Sequence, residues 1–480
     1  MEFCQLPQIS IEKEKAMPPF AGVATGGLGH ALKRQEPAIV TLNVGGQVFQ
    51  TTSQTLAAAG VSSILSSPPP FIDRDPDLFA DLLALLRTGR LPSSAADISD
   101  LLAEAEFYGL DPHLLRSSVS SSSYFSPLSL RRSLLLPLPG RDPVSVLSAT
   151  PSGELLAAHG SKITSFDFSL RHRKTLLTSL PAVDSLLSLP DCSLAVAGAS
   201  DFPGLQVLDL ASGSLRKTLH WYPHVSSPGA TVQAVGIASD RQLLFTSYES
   251  GRRNASAILA FDLGAGSEFR SVYEIGRREI YGAELDSAIP ATKLKWVPSF
   301  NLLMAGGSHS GPSGVVGNIR LWDARTGSDP VWDLQEKDDC FADVTVSDEL
   351  SAIFKVGVNS GDVFMADLRK LKVGEPWTVL GGGMWSAEIG WEKKGGRGCT
   401  IESQGKQVFC TRGGDVEMWS EVAMTVAPDH EQKVMRRNLM GRAKDMGGAR
   451  ILQLVFGGKR MAVARNGERS VEVWESSDRC

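Results

Sequence analysis

A weak sevenfold repeat in the C-terminal part of the chain limits its fold more than any other feature. Each copy ends in an apolar or aromatic residue beside Asp or Trp, and successive endings lie 42 to 61 residues apart. Upstream of several endings, short apolar runs predict a strand, usually followed by glycine. Repeats of about 40–45 residues with loop insertions are typical of β-propeller blades. We therefore predict that residues 130–480 form an all-β propeller of about seven degenerate blades. The endings are Phe166-Asp167-Phe168, Leu208-Asp209-Leu210, Phe261-Asp262-Leu263, Leu321-Trp322-Asp323, Met365-Ala366-Asp367, Met418-Trp419 and Val473-Trp474.

The segment 38–116 has a different pattern, which predicts a small α/β domain. Residues 39–51 read as two strands around a turn at Gly45-Gly46. Glycine suits such a turn because it adopts positive φ without a steric penalty. Asp75 is predicted to cap a helix over 76–88, in which leucines recur at helical spacing.

Two further stretches complete the organisation. Residues 1–37 lack sustained periodicity and are predicted to be a flexible arm. Residues 117–129 contain eight serines, the composition of a linker. The sequence therefore predicts a multidomain chain, with an arm, a small α/β domain, a linker and a propeller.

The small domain resembles the BTB/POZ family, and more narrowly its potassium-channel tetramerisation type. Three motifs carry this resemblance in the right order: IVTLNVGGQVFQTTSQTL, FIDRDPDLFADLLALLRTGRLP and LLAEAEFYGLDPHLL. The repeats resemble WD-repeat blades, most clearly in NIRLWDARTG at Asn318–Gly327. The combination is similar to plant BTB proteins with a propeller-like C-terminal region.

The BTB resemblance implies self-association and contact with a cullin scaffold. It also implies that Asp73, Arg74 and Asp75 help to link neighbouring subunits, and Arg suits bidentate contacts with carboxylates. From the residues alone, these three could equally be solvated turn charges and a helix cap. Channel relatives often carry zinc between subunits, but 38–116 contains no Cys and only His113, so no metal is expected here.

Charge and composition exclude several classes of partner. The net charge of −5 resides in 37–116, which has nine acidic and four basic residues, and no basic stripe predicts a nucleic-acid partner. No apolar run approaches the roughly 18 residues of a membrane span. The N-terminus lacks a signal-peptide pattern. The scattered cysteines indicate free thiols in a reducing compartment. We expect a cytoplasmic and/or nuclear protein without a membrane partner.

The search for chemistry yields no catalytic motif, so we predict neither an enzyme nor a cofactor. An enzyme with its site in the propeller channel is the remaining catalytic hypothesis, which clustered carboxylates or histidines at the channel would favour. Exposed Trp and Tyr are favoured interface anchors, although such residues also pack between blades. The candidates for substrate recognition are Trp221, Tyr222, Trp296, Trp385 and Trp391. In the small domain, Phe71, Phe107 and Tyr108 are either core or exposed recognition residues.

The leading functional hypothesis is a substrate-specific adaptor of a cullin-RING E3 ubiquitin ligase. The BTB domain would oligomerise and bind the cullin, and the propeller would recruit an unknown protein for ubiquitination. Oligomerisation would add avidity for that protein. The alternative is a ligase-independent oligomeric scaffold or transcriptional co-regulator.

Overall fold

The fold was analysed in a computed structural model that describes most of the two predicted domains. The described residues are 39–60, 63–88, 98–110, 125, 130–190, 193–223, 229–250, 255–264, 268–279, 290–311, 314–325, 329–371, 374–380, 395–427, 430–440 and 449–476. The arm predicted over 1–37, most of the linker over 117–129, Trp385 and Trp391 lie outside them. Described 3-10 turns cover Ile64–Ser66, Ser239–Arg241, Pro298–Phe300 and Leu368–Lys370.

The small domain packs a two-stranded hairpin against helices. Its elements are β1 (Ile39–Val44), β2 (Gln47–Thr52), α1 (Ser53–Ala57), α2 (Pro76–Thr88) and α3 (Ile98–Tyr108).

Two local predictions for the small domain are confirmed. Gly45 has φ +55°, and a Cβ at this position would lie 2.4 Å from the carbonyl oxygen of Arg74. Asp75 caps α2, because its Oδ1 accepts hydrogen bonds from the backbone N–H groups of Asp77 at 2.8 Å and Leu78 at 3.4 Å. Phe79 and Tyr108 are fully buried in the core that forms between the hairpin and the helices.

The strands after residue 129 form seven four-stranded antiparallel blades, with a single bridge between Pro203 and Thr231 joining blades 2 and 3. The propeller prediction is therefore confirmed. The first propeller strand along the chain is β3 (Leu130–Pro137). From the inner to the outer edge, blade 1 contains β4 (Val146–Ala149), β5 (Leu155–His159), β6 (Lys162–Phe166) and β7 (His172–Leu177), and blade 2 contains β8 (Ser185–Ser188), β9 (Leu194–Ala199), β10 (Phe202–Asp209) and β11 (Leu215–Leu219). In the same order, blade 3 contains β12 (Thr231–Ala238), β13 (Leu243–Glu249), β14 (Ala255–Asp262) and β15 (Ser271–Glu279), blade 4 contains β16 (Lys293–Val297), β17 (Leu302–Gly311), β18 (Gly314–Asp323) and β19 (Trp332–Glu336), and blade 5 contains β20 (Phe341–Ser347), β21 (Ala352–Gly357), β22 (Val363–Asp367) and β23 (Thr378–Val379). Blade 6 contains β24 (Ile401–Gln404), β25 (Gln407–Arg412), β26 (Asp415–Ala427) and β27 (His430–Leu439), and blade 7 contains β28 (Ile451–Gly457), β29 (Arg460–Arg465), β30 (Ser470–Ser476) and β3.

The ring is closed by strands from the two ends of the propeller sequence. Strand β3 pairs antiparallel with β30, from Leu130 opposite Ser476 to Pro137 opposite Ser470. The inner strands of neighbouring blades lie side by side around the ring, and β28 returns to β4. The first strand of the propeller is thus the outer strand of its last blade.

Because the strands of a blade alternate in direction, their connections alternate between two faces of the ring. We call the face with the turns between first and second strands, and between third and fourth strands, the base. The opposite face, with the links between second and third strands and between blades, is the top face.

Every ending of the sequence repeat lies on the third strand of a blade or at the point where that strand ends. In four copies the repeat Asp also shapes the following turn on the base, since its Oδ1 accepts a hydrogen bond from the backbone N–H two residues later. Such turns are a common use of Asp. The repeat therefore records a strand and its turn together. These four residues are Asp209, Asp262, Asp323 and Asp367.

Buried ion pairs join the middle strands of blades 6 and 7. In blade 7, Arg465 Nε donates to Glu472 Oε2 at 2.8 Å, and both side chains are nearly inaccessible to solvent. In blade 6, Glu417 Oε1 accepts hydrogen bonds from Arg412 at 2.8 Å and Arg437 at 2.5 Å. The Arg465–Glu472 and Arg412–Glu417 pairs each connect the end of the second strand to the start of the third strand, and Arg437 reaches Glu417 from the fourth strand of blade 6.

Candidate interaction surfaces

The small domain presents an aromatic and cationic surface beside α2 and α3. Phe71 is 51% exposed and Phe107 is 41% exposed, whereas Tyr108 is buried. The Arg74 guanidinium lies 3.7 Å from the centre of the Phe107 ring. Such a contact combines a cation with a large apolar area, as protein interfaces commonly do. We call Phe71, Arg74 and Phe107 the BTB surface patch.

A buried carboxylate holds this patch in place. Arg74 Nη1 lies 3.5 Å from Glu104 Oε2, and Glu104 is only 4% exposed. Burial raises the pKa of Glu104, while the positive charge of Arg74 lowers it. Glu104 Oε1 has no hydrogen-bond partner among the described residues. The structure thus places Arg74 on a solvent-facing surface and Asp75 in a helix cap, and the role of Asp73, Arg74 and Asp75 in subunit contacts stays a prediction.

The aromatic candidates of the propeller separate into three groups. Trp221 is buried at 4% exposure, and its Nε1 donates to Glu274 Oε2 at 3.3 Å, so the expectation that it is an exposed anchor is wrong. Trp296 lies in strand β16 rather than in a loop, where it stacks on Phe245 at 5.9 Å. Both residues fill space between strands. Trp385 and Trp391 fall outside the described residues.

Tyr222 is the one recognition candidate that the described structure leaves widely exposed. It lies on the link between blades 2 and 3, on the top face, and is 53% exposed. Its ring centre lies 5.7 Å from that of the exposed His220. Arg277 Nη2 donates to the Pro223 carbonyl oxygen at 2.7 Å, which holds the link against blade 3. We call Tyr222 and His220 the top aromatic pair.

Charged side chains do meet on the inner strands of blades 4 to 6. Lys293 Nζ lies 3.0 Å from Asp343 Oδ2 and 3.3 Å from Glu402 Oε2, and Lys295 Nζ lies 2.5 Å from Glu402 Oε1. Burial disfavours the Lys293 ammonium, but the Asp343 and Glu402 carboxylates outweigh it and raise the Lys293 pKa. Burial likewise raises the Glu402 pKa, but the two lysines outweigh it and lower that pKa overall.

This inner cluster is suited to joining blades rather than to catalysis. It contains two ammonium and two carboxylate groups, so its charges balance. A general acid or base needs a pKa near the working pH, whereas these shifts hold Lys293 and Glu402 in their charged forms. Three neighbouring blades are therefore linked by charge-assisted contacts.

Other described groups also lack catalytic features. No group of three or more His, Cys, Asp or Glu residues able to hold a metal occurs in the described part of the chain. Cys340, Cys399 and Cys410 are buried, and burial raises the pKa of each thiol. A raised thiol pKa opposes nucleophilic chemistry. None of the described helices is long and apolar enough to span a membrane.

Comparison with known proteins accounts for both domains. Residues 40–118 match the BTB/POZ domain family, and residues 140–476 match the family described as "At2g24240-like, C-terminal beta propeller". BTB/POZ domain-containing protein At5g41330 of Arabidopsis thaliana is 50% identical over 92% of this chain and 97% of its own length. At4g30940 of the same plant is 30% identical over 55% of this chain and 61% of its own length. SH3KBP1-binding protein 1 of Mus musculus is 40% identical over 20% of this chain and 16% of its own length.

Proposed function

The chain belongs to the BTB/POZ proteins with an At2g24240-like C-terminal beta propeller, and we propose that it is a substrate-specific adaptor of a cullin-RING E3 ubiquitin ligase. The two families that it combines are consistent with an adaptor or scaffold role, and neither indicates a catalytic activity. The cullin contact, the recruited protein and a location in the cytoplasm or nucleus are parts of this proposal.

The pairing of a small BTB domain with a closed seven-bladed ring is the observation that carries the proposal. The BTB surface patch offers exposed aromatic and cationic groups of the kind that protein interfaces use. The ring adds a separate surface, on which Tyr222 of the top aromatic pair is 53% exposed. One chain can thus hold two partners at once.

The proposed mechanism is proximity. The adaptor holds a substrate protein near the catalytic subunits of the ligase, and these subunits supply all bond making and breaking. A BTB oligomer presents several propellers, so weak single contacts with a substrate add up to tight binding. No proton transfer or nucleophile in this chain is needed.

The test is the light-scattering mass of the full-length protein, alone and with the N-terminal half of a BTB-type cullin. We expect an oligomer that shifts to a larger, stable complex at micromolar concentrations. Arg74→Glu should weaken the self-association or the cullin complex, whereas Tyr222→Ala on the top face should leave both masses unchanged.

Two outcomes would contradict parts of this proposal. An oligomer that ignores the cullin would overturn the ligase proposal and support the oligomeric scaffold or co-regulator. A wild-type mass after Arg74→Glu, with and without cullin, would show that the BTB surface patch serves neither contact.

A further inference from the structure

Four neighbouring blades carry a pair of adjacent cations on their outer strands. Each pair is exposed and lies beside the repeat ending of its own blade, so the four pairs stand at a similar level of the ring. The pairs are far apart in the sequence, and the fold brings them onto one stretch of the outer edge. We call these eight residues the cationic rim. They are Arg436-Arg437 on blade 6, Arg131-Arg132 on blade 7, Arg173-Lys174 on blade 1 and Arg216-Lys217 on blade 2.

The same sign of charge on four successive blades needs a cause beyond protection of the strand edges. The outer strands β27, β3, β7 and β11 contain nine lysines and arginines and one glutamate. On blades 3 to 5, β15 contains two arginines and two glutamates, β19 contains one aspartate and one glutamate, and β23 contains no charged residue. Charges at exposed strand edges oppose aggregation, and acidic residues serve this purpose as well. The cationic arc therefore indicates a surface for an anionic partner.

Half of the cationic rim keeps a positive charge that no described carboxylate neutralises. In each pair one member meets a carboxylate of its own blade; these members are Arg437, Arg132, Arg173 and Arg216. The other member pairs with no carboxylate among the described residues. Lys174 and Lys217 donate to backbone carbonyl oxygens of the next blade, which leaves their charge in place. The uncompensated rim cations are thus Arg131, Lys174, Lys217 and Arg436.

The side chains beside these cations favour a polypeptide over other polyanions. Each of the four outer strands also exposes a leucine, at Leu439, Leu135, Leu177 and Leu215. None of these strands contains Phe, Tyr or Trp, whereas single-stranded nucleic acids bind where aromatic rings stack on their bases. The rim is convex because the blades radiate from the centre, so a flat bilayer or a straight duplex meets few of the pairs at once. An extended polypeptide can follow the curve.

We propose that the cationic rim binds an extended acidic segment of a partner protein. Its Asp and Glu side chains pair with the uncompensated rim cations, and its apolar side chains cover the exposed leucines. Exposed ion pairs are weak singly, at about 1.4–5-fold in affinity each, but pairs on four blades add up along one segment. The binding itself is independent of the ligase proposal, and only the identification of this segment as part of the recruited substrate rests on it.

The experiment is a fluorescence-anisotropy titration of a labelled synthetic peptide with the full-length protein, in the absence of cullin. The peptide is built from Asp, Glu, Leu and Ser and has about 24 residues, which span about 80 Å when extended. The wild-type protein should bind it, and added salt should weaken the binding because it screens exposed charges.

Three variants test the role of the rim. Arg131→Gln/Lys174→Gln/Lys217→Gln/Arg436→Gln, the rim variant, should weaken peptide binding by about tenfold. Arg131→Gln/Arg436→Gln removes two side chains that make no hydrogen bond or ion pair in the described structure, and it should weaken binding by about threefold without loss of folding. The matched control changes the net charge as much as the rim variant does, at exposed positions away from the outer strands, and should bind like the wild type. This control is Arg270→Gln/Lys337→Gln/Lys370→Gln/Lys406→Gln.

Three results would overturn the proposal. One is wild-type affinity for the peptide in the rim variant. Another is an equal loss in the matched control, which would show an effect of net charge alone. The third is tighter binding of phosphatidylserine vesicles or polyuridylate RNA than of the peptide, with the same dependence on the rim, which would assign the rim to a bilayer or a nucleic acid. Cullin takes no part in this assay, so failure here is distinguishable from failure of the ligase proposal.

Discussion

The buried pair Arg465–Glu472 should dominate the stability of blade 7. Arg465→Met keeps the length and much of the volume of the side chain but removes its charge. It deletes the 2.8 Å contact with Glu472 and two 3.0 Å hydrogen bonds to the carbonyl oxygens of Gly414 and Ala449. Glu472 is 1% exposed, and its remaining cation is Arg132, 4.0 Å away.

The expected loss of unfolding free energy follows from the charge that Glu472 keeps without its partner. Breaking a buried ion pair by removing one partner costs about 3–5 kcal/mol. Replacing both partners by apolar residues removes the stranded charge and is often neutral or stabilising. In Arg465→Met/Glu472→Leu the two carbonyl groups still lose their donor, at about 1 kcal/mol each. The double variant should therefore be more stable than the single variant.

Urea unfolding followed by tryptophan fluorescence measures this difference. All nine tryptophans lie after residue 220, so the signal reports on the propeller alone. Arg325→Met is the matched control, because Arg325 pairs with Asp323 on the exposed base, and its midpoint should hardly move. A loss below about 1 kcal/mol for Arg465→Met, or a double variant as unstable as the single one, would refute the reasoning.

Three further predictions concern other parts of the chain. Gly45→Ala should destabilise the BTB domain by about 1–3 kcal/mol through positive-φ strain alone, with more from the clash against Arg74; circular dichroism and oligomeric mass should change while the tryptophan midpoint stays constant. Burial lowers the pKa of His159 below its usual range, so the unfolded chain binds this proton more readily. Propeller stability should therefore fall as the pH drops below about 6.5. In His159→Gln the urea midpoint should change less between pH 7 and 5.5 than it does in the wild type. Glu402→Gln should lower the free energy of unfolding by about 1.5–3 kcal/mol at pH 7, because Lys293 and Lys295 lose a charged partner. The loss should shrink as acid neutralises Glu402 in the wild type.

The sequence predicted the repeating units well because each repeat is a local structure. A third strand and its Asp-stabilised turn occupy about ten neighbouring residues, so their pattern recurs in the chain itself. Gly45 and Asp75 were predictable for the same reason, since a positive φ and a helix cap are set by adjacent residues.

Burial at the loops was less predictable, because it depends on distant residues. Trp221 occupies a link between blades, yet it packs near Tyr248, with a ring separation of 6.4 Å. Phe125 lies among serines, and its partners Phe409 and Phe456 come almost three hundred residues or more later. A local sequence pattern cannot predict contacts between residues so far apart in the chain.

The buried ion pairs did leave a signal in the sequence. Val416-Glu417-Met418-Trp419 and Val471-Glu472-Val473-Trp474 share one pattern, and each follows an arginine across a glycine-containing turn. A glutamate inside an otherwise apolar strand is costly unless it is paired. The arginine before each turn could therefore have been predicted as its partner.

The strand that completes blade 7 has a consequence for synthesis on the ribosome. Ser133 and its hydrogen-bond partner Val473 are 340 residues apart. At about 5–20 residues per second, β3 waits roughly 20–70 s for β30 to be made. During this interval an apolar strand has no pairing partner of its own, and such edges invite aggregation. A premature stop near the C-terminus would therefore release an open ring in which β3 has no strand to pair with.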